Sequence, residues 1–321
     1  MSIRLVILMS LLLGLTGCGS WQARQVVEPE RVAWEAAQGA AQMLAEAESK
    51  GVLVSDEALV GTPGVVYRYA VLRPSTAEYS FEDQNDEGAY GFSFSWSLGE
   101  PLRCEAPRTL LFLHGYGANA MQAMVWAPPL MANCWTVIAP DLRAHGRSGG
   151  DQVTFGVREL PELLSLLETL EAEGVFSGPV SVLGLSFGGS LALSLNAAGY
   201  PFEHTIAVAP FERGDAAMDR AIQRYQEGLD KSQRDTLIRK ASELAGFNWN
   251  DTVVQGQTTG QVHVIASTAD RINPAAQACE LAARLGATCH ELNDPRWKHD
   301  TLMLPTQAVR QIVLPLLEAT P

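Results

Sequence analysis

The sequence predicts an α/β fold, and three observations carry that expectation. Short apolar runs of strand length recur along the chain, at Thr109–Leu113, Val137–Ala139, Val180–Leu185 and Val262–Ala266. Helical periodicity lies between them: Leu160, Leu163, Leu164, Leu167 and Leu170 share one face of an amphipathic helix. In Val180-Ser-Val-Leu-Gly-Leu-Ser-Phe-Gly-Gly-Ser190 an apolar strand passes through a Gly-x-Ser-x-Gly turn into a helix rich in small residues. Gly184, Ser186 and Gly188 occupy the three positions of that turn. A serine at so tight a bend sits in strained backbone and projects its hydroxyl above the sheet. A Cβ at either flanking glycine would clash where strand and helix converge.

Taken in order, the chain opens with Arg4 and an apolar core, Leu5–Leu13, interrupted only by Ser10 and followed by Leu15-Thr-Gly-Cys18. The run is too short to span a bilayer and suits a signal peptide. It resembles a bacterial lipoprotein signal. That resemblance implies removal of residues 1–17 and attachment to a membrane through lipid on Cys18. Gly19-Ser20 lacks the aspartate of inner-membrane retention, which implies an outer-membrane lipoprotein facing the periplasm. Residues 18–60 then form a lead-in. Within it Glu30–Lys50 reads as an alanine-rich helix, either a spacer above the membrane or an element packed on the domain, and both remain open.

Residues 61–321 form the main domain. Val65–Leu72 and Tyr90–Leu98 read as a pair of strands, the second with Phe92, Phe94 and Trp96 alternating with serines, and Glu82–Glu87 as a polar turn between them. His204–Ala209 reads as a strand and begins a long interval before the next one. Residues 211–257 form an insertion with two helices, one placing Met218, Ile222, Tyr225 and Leu229 on a face, the other Leu237 or Ile238, Ala241 and Leu244 or Ala245. Cys279 falls on a helix and Cys289 in the strand after it.

With the Gly-x-Ser-x-Gly turn, three further segments resemble the α/β-hydrolase family in its serine-nucleophile branch of esterases, monoacylglycerol lipases and serine aminopeptidases. They are Thr109-Leu-Leu-Phe-Leu-His-Gly-Tyr-Gly117, Val137-Ile-Ala-Pro-Asp-Leu-Arg-Ala-His-Gly-Arg-Ser-Gly149, and Val262-His-Val-Ile-Ala-Ser-Thr-Ala-Asp-Arg-Ile-Asn-Pro274. The resemblance implies a mostly parallel central sheet flanked by helices, with the 211–257 insertion as a small helical cap over the nucleophile. It also implies a triad of Ser186, Asp270 and His299, in the chain order nucleophile, acid, histidine. A serine hydroxyl is too weak an acid to attack unaided, so His299 would serve as its base and Asp270 would orient the imidazole. Backbone N–H groups of Tyr116 and Phe187 would receive the developing oxyanion. Asp294 and Asp300 are reserve acids close to His299, and Asp141, Arg143, His145 and Ser148 are structural in this family.

Beyond Cys18, four cysteines remain, and in an exported chain they suggest two disulfides. Three pairings are possible. Strand adjacency implied by the resemblance favours Cys104–Cys134, and a helix-to-next-strand link favours Cys279–Cys289. The chain carries a net charge of −13 and a pI near 4.9, which disfavours nucleic acid as a partner. No histidine pair has zinc-ligand spacing and no cofactor is implied. The expected activity is a serine carboxylesterase acting on a small or medium soluble ester. The rivals are a serine-aminopeptidase-like enzyme, with Glu212, Asp215 and Asp219 as amine-binding acids, and a non-catalytic envelope scaffold.

Overall fold

The computed structural model describes residues 19–34, 40–86, 89–176, 178–226, 228–252 and 254–319. The expected signal peptide and Cys18 lie outside the described residues, as do residues 35–39 of the expected Glu30–Lys50 helix. The chain begins with helices α1 (Gly19–Val27) and α2 (Ala40–Ser49) and strands β1 (Leu53–Val60), β2 (Val65–Leu72), β3 (Ser75–Asp86) and β4 (Ala89–Pro101). There follow β5 (Arg108–Leu113), α3 (Ala127–Met131), β6 (Trp135–Pro140), α4 (Glu159–Ala172), β7 (Val180–Leu185), α5 (Phe187–Ala197) and β8 (His204–Val208). The last part holds α6 (Gly214–Tyr225), α7 (Lys231–Ala245), β9 (Gln261–Ser267), α8 (Ala275–Leu285), β10 (Thr288–Leu292), α9 (His299–Leu302) and α10 (Gln307–Glu318).

Eight strands form one sheet in the order β1-β2-β6-β5-β7-β8-β9-β10. From β6 to β10 all neighbours are parallel, and β1 and β2 add an antiparallel edge. Strand alternation decides the layering, because successive side chains point to opposite faces. On β5, Leu111 and Leu113 join the core under α4 and α5, whereas Leu110 and Phe112 join the core on the other face with α2, α3 and α10. The same division places Val180 and Val182 of β7 on the first face and Leu183 and Leu185 on the second. Strands buried on both faces are what a parallel sheet covered by helices requires. A third apolar cluster sits between β9 and α8.

Two expectations about pairing are corrected. Val65–Leu72 and Tyr90–Leu98 are strands, but they are not partners. β2 lies between β1 and β6, and β4 pairs with β3 in a separate two-stranded ribbon. Tyr69–Leu72 is buried on both faces, which suits an interior strand, whereas the serines alternating along β4 suit a ribbon with one solvated face. Glu82–Asp86, read as a turn, continues β3. The central sheet therefore begins at Leu53, inside the stretch read as a lead-in.

The insertion between β8 and β9 holds the two expected helices. Asp230 starts α7 with a reciprocal capping box to Gln233, and Gly246 ends it in the left-handed region. α1 packs against α7. Leu44 and Ala47 of α2 enter the core, so this helix lies on the domain. Among the described residues no helix is long and apolar enough to cross a membrane.

The structure joins Cys104 to Cys134 and Cys279 to Cys289, closing intervals of 30 and 10 residues. By loop-closure entropy the longer link contributes roughly 3–4 kcal/mol and the shorter somewhat less. Urea denaturation of Cys104→Ser/Cys134→Ser should show a loss of that order, larger than for Cys279→Ser/Cys289→Ser. Equal midpoints for both variants and the parent would contradict it.

Candidate active site

The turn at Ser186 is built by close approach. A Cβ on Gly184 would lie 2.1 Å from the carbonyl oxygen of Gly188, and a Cβ on Gly188 would lie 2.1 Å from that of Leu113. Both contacts are with backbone, so neither can yield, and only glycine lets β7, α5 and the end of β5 meet. Ser186 itself has φ 50° and ψ −110°, a conformation that costs a non-glycine residue about 1–3 kcal/mol. The Ser186 N–H donates to Val208 O at 2.7 Å, tying the bend to β8.

The three residues expected to act together are brought together. Ser186 Oγ lies 3.0 Å from His299 Nε2, and His299 Nδ1 lies 2.7 Å from Asp270 Oδ2. All three are buried. The second oxygen of Asp270 accepts the N–H groups of Ile272 at 2.8 Å and Asn273 at 2.9 Å, which fixes the carboxylate with Oδ2 facing the imidazole. Asp270 lies just beyond the carboxyl end of β9, and His299 opens α9 after β10. The reserve acids are engaged elsewhere: Asp294 pairs with Arg296, and Asp300 accepts the Tyr225 hydroxyl.

Phe187 is the first residue of α5, so its N–H is among the donors with no acceptor inside the helix. The second expected donor lies in the turn after β5. A Cβ on Gly115 would stand 3.8 Å from Ser186 Cβ, which places this turn against the serine. The N–H groups flanking Tyr116 are both claimed: that of Gly115 by Gln122 Oε1 at 2.9 Å and that of Gly117 by His145 Nε2 at 3.0 Å. The Tyr116 side chain does not serve as a free pocket wall. It stacks on Phe155, and its hydroxyl donates to Gln25 O at 2.8 Å and Val26 O at 3.2 Å at the end of α1.

Sequence reasoning missed this role of the N-terminal segment. Beside the Tyr116 bonds, the Val153 N–H donates to Val27 O at 2.7 Å, Asn119 Nδ2 to Val32 O at 2.9 Å, and Trp34 Nε1 to the Asp141 carboxylate at 3.0 Å. Arg31 donates to the carbonyls of Ser148 and Gly150. The sequence signal for it is a set of apolar residues, Ala23, Val26, Val27 and Trp34, all of which are buried.

The Asp141–Ser148 turn is structural in its geometry. Asp141 accepts the Ala120 and Arg147 N–H groups at 2.7 Å each, and Arg143 pairs with buried Glu162 at 2.6 Å. His114 Nε2 accepts the Leu142 N–H at 2.9 Å, and its Nδ1 faces Gly115 O at 2.7 Å. His145 likewise accepts through Nε2 and faces Arg143 O through Nδ1 at 2.9 Å. Each ring must be neutral with the proton on Nδ1, since protonating Nε2 would set two donors against each other. Burial, with no compensating carboxylate, pushes His145 down to about 4 and His114 well below its ordinary value. His263 on β9 stands 3.1 Å from His290 on the adjacent strand β10.

Two expectations follow. Ser186→Gly should relieve the positive-φ strain and give a protein about 1 kcal/mol more stable than Ser186→Ala. Chemical denaturation of the two variants checks this, and a less stable glycine variant would argue against strain at the turn. Second, the unfolded chain protonates His145 below about pH 6.5, whereas the folded chain does so only near pH 4. Stability should therefore fall with pH across that window, by about 2 kcal/mol at pH 5 from His145 alone. Urea curves superimposing at pH 7 and pH 5 would contradict it.

Comparison with known proteins agrees with this architecture. The model of the alpha/beta hydrolase family matches residues 110–309. The uncharacterized protein YqkD of Bacillus subtilis (strain 168) is 27% identical over 105 residues, covering 33% of this chain and 34% of that protein, so the chain spans about a third of this relative's length. Among solved structures, the Pyrococcus furiosus esterase Pf2001 superimposes with a TM-score of 0.61 at 18% identity, covering 91% of this chain and 97% of that one. A Thermogutta terrifontis esterase gives 0.51 at 16% identity, covering 83% and 98%. XC6422 of Xanthomonas campestris, described as an a/b serine hydrolase without lid, gives 0.51 at 20% identity, covering 84% and 97%. At these identities the structures speak for the fold. The family match extends over more than half of the 321 residues, from β5 to α10, and this chain belongs to the alpha/beta hydrolase family.

Proposed function

We propose that the protein is a serine hydrolase that cleaves a carboxylic ester through an acyl-enzyme. The observation that carries this reading is the connected path from Ser186 Oγ through His299 to the Asp270 carboxylate, at 3.0 and 2.7 Å. Ser186 Oγ attacks the ester carbonyl while His299 Nε2 takes the hydroxyl proton, and Asp270 stabilises the imidazolium. The Tyr116 and Phe187 N–H groups receive the oxyanion. The imidazolium returns the proton to the leaving alkoxide, and the alcohol departs. Water activated by His299 then attacks the acyl-enzyme and releases the acid. No step calls for a cofactor.

An aminopeptidase-like reading would use Glu212, Asp215 and Asp219 to hold a substrate amine. Each is already engaged, with Arg284, Arg213 and Arg234 respectively. The ester reading is therefore preferred. The proposal includes a lipid anchor at Cys18 on a periplasm-facing outer membrane, on the strength of the Leu5–Cys18 pattern alone.

A fluorophosphonate probe should label the wild type and not Ser186→Ala. His299→Ala should lose most esterase turnover, and Asp270→Asn should lose on the order of 10³–10⁴ in kcat by mispositioning the imidazole. Labelling that persists in Ser186→Ala would sink the nucleophile assignment, and full activity in Asp270→Asn would move the acid elsewhere.

A further inference from the structure

We propose that the cavity beside His299 is a subsite for the alcohol portion of an ester bearing a negative charge on that alcohol, a carboxylate or a phosphate. The proposal rests on the Ser186–His299–Asp270 reading and gives it a substrate class. A cavity of about 670 Å³ is lined by His299 and by three separate elements. They are α6 of the insertion, the loop after β9 that carries Asp270, and the loop that leads into α9. Each supplies one exposed cation: Arg224, Arg271 and Lys298. Two of these positions are set by covalent neighbours rather than by side-chain conformation, since Arg271 follows Asp270 and Lys298 precedes His299.

Among the described residues no carboxylate lies within ion-pair distance of these three cations; Arg224 lies 5.6 Å over the ring of Tyr225. Among the described residues the one carboxylate lining the cavity, Asp300, accepts the Tyr225 hydroxyl at 2.9 Å. This runs against the composition. A chain of net charge −13 has carboxylates to spare, and elsewhere Arg213 and Arg234 of the insertion and Arg284 of α8 all have one. The wall is also held in place. Arg220, one turn before Arg224 on α6, is half-buried and donates through Nε to Ile272 O, fastening the helix to the loop of Asp270.

The chemistry says which part of the substrate meets this wall. His299 Nε2 takes the serine proton and returns it to the leaving oxygen, so the alcohol must lie against the imidazole, while the carbonyl oxygen lies toward Tyr116 and Phe187. Of the triad the cavity is lined by His299 and not by Ser186, and neither Tyr116 nor Phe187 lines it, so the imidazole is the link between this wall and the reacting ester. A cationic wall there draws an anionic alcohol, more strongly at low ionic strength.

The test compares esters that differ only in the charge of the alcohol. One pair is 4-acetoxybenzoate and its methyl ester; the other is monoacetylglycerol phosphate and monoacetylglycerol. The ratio of kcat/KM, anionic over neutral, is measured for the wild type and for Arg224→Gln/Arg271→Gln/Lys298→Gln, which cancels the intrinsic reactivity of the esters. Three exposed charges should make the wild-type ratio roughly tenfold larger than that of the variant. Raising salt to about 0.3 M should shrink the wild-type ratio without any substitution. A preference confined to one pair names the anion. A ratio unmoved by both salt and substitution overturns the subsite. Calorimetric binding of the same compounds to Ser186→Ala, with and without the three glutamines, separates the two proposals. Anion-selective binding without turnover by the wild type would keep the subsite and remove the serine mechanism, and indifferent binding would remove the subsite.

Discussion

The backbone contact between strand β7 and helix α5 at Gly184 and Gly188 is the constraint on which the rest of the site depends. It forces the chain to reverse within one residue, and that residue is Ser186, held at positive φ. Three consequences come from the same bend. The hydroxyl projects from the carboxyl edge of the parallel strands, the following N–H becomes a free helix-start donor, and the turn after β5 is drawn against the serine. In an open parallel sheet, ligand sites form beyond the carboxyl ends of the strands, because every loop there converges on one edge. Asp270 after β9 and the loop into His299 after β10 arrive by that geometry.

The turn after β5 is steadied from below and from the side by different means. Below it, His114 and His145 act as neutral acceptors for backbone N–H groups, a duty that buried imidazole performs only while it stays unprotonated. At the side, the segment from α1 to Trp34 runs across the loops that follow β5 and β6, bonded to Tyr116, Asn119, Asp141 and Val153. The same segment packs on α7 of the insertion. The N-terminal segment thus touches both the turn after β5 and helix α7 of the insertion.

Polar groups at this end of the molecule fall into two sorts. Those beneath the site are saturated: Asp141, Glu162 and Arg143 each meet several partners, and a buried charge left without them would be costly. Arg224, Arg271 and Lys298 around the cavity at His299 are left facing solvent. The contrast separates groups that hold the loops from groups available to a ligand.

The sequence by itself determined the local elements and the order of Ser186, Asp270 and His299 along the chain. The strand–turn–helix at Ser186 was legible because its glycines answer to a local steric demand, and the two helices of the insertion because their apolar faces repeat at helical spacing. The Cys104–Cys134 pairing followed once strand adjacency was inferred from the family resemblance, and Cys279–Cys289 from a helix and the strand after it. Long-range choices were not legible. Nothing local to Val65–Leu72 distinguishes β1 and β6 as its neighbours from β4, since pairing is a competition among all exposed edges. Nothing local to Tyr116 announces that its hydroxyl will reach carbonyls some ninety residues earlier. The convergence of Arg224, Arg271 and Lys298 on one cavity is likewise a product of tertiary packing, which alone brings residues distant in the chain to the same wall.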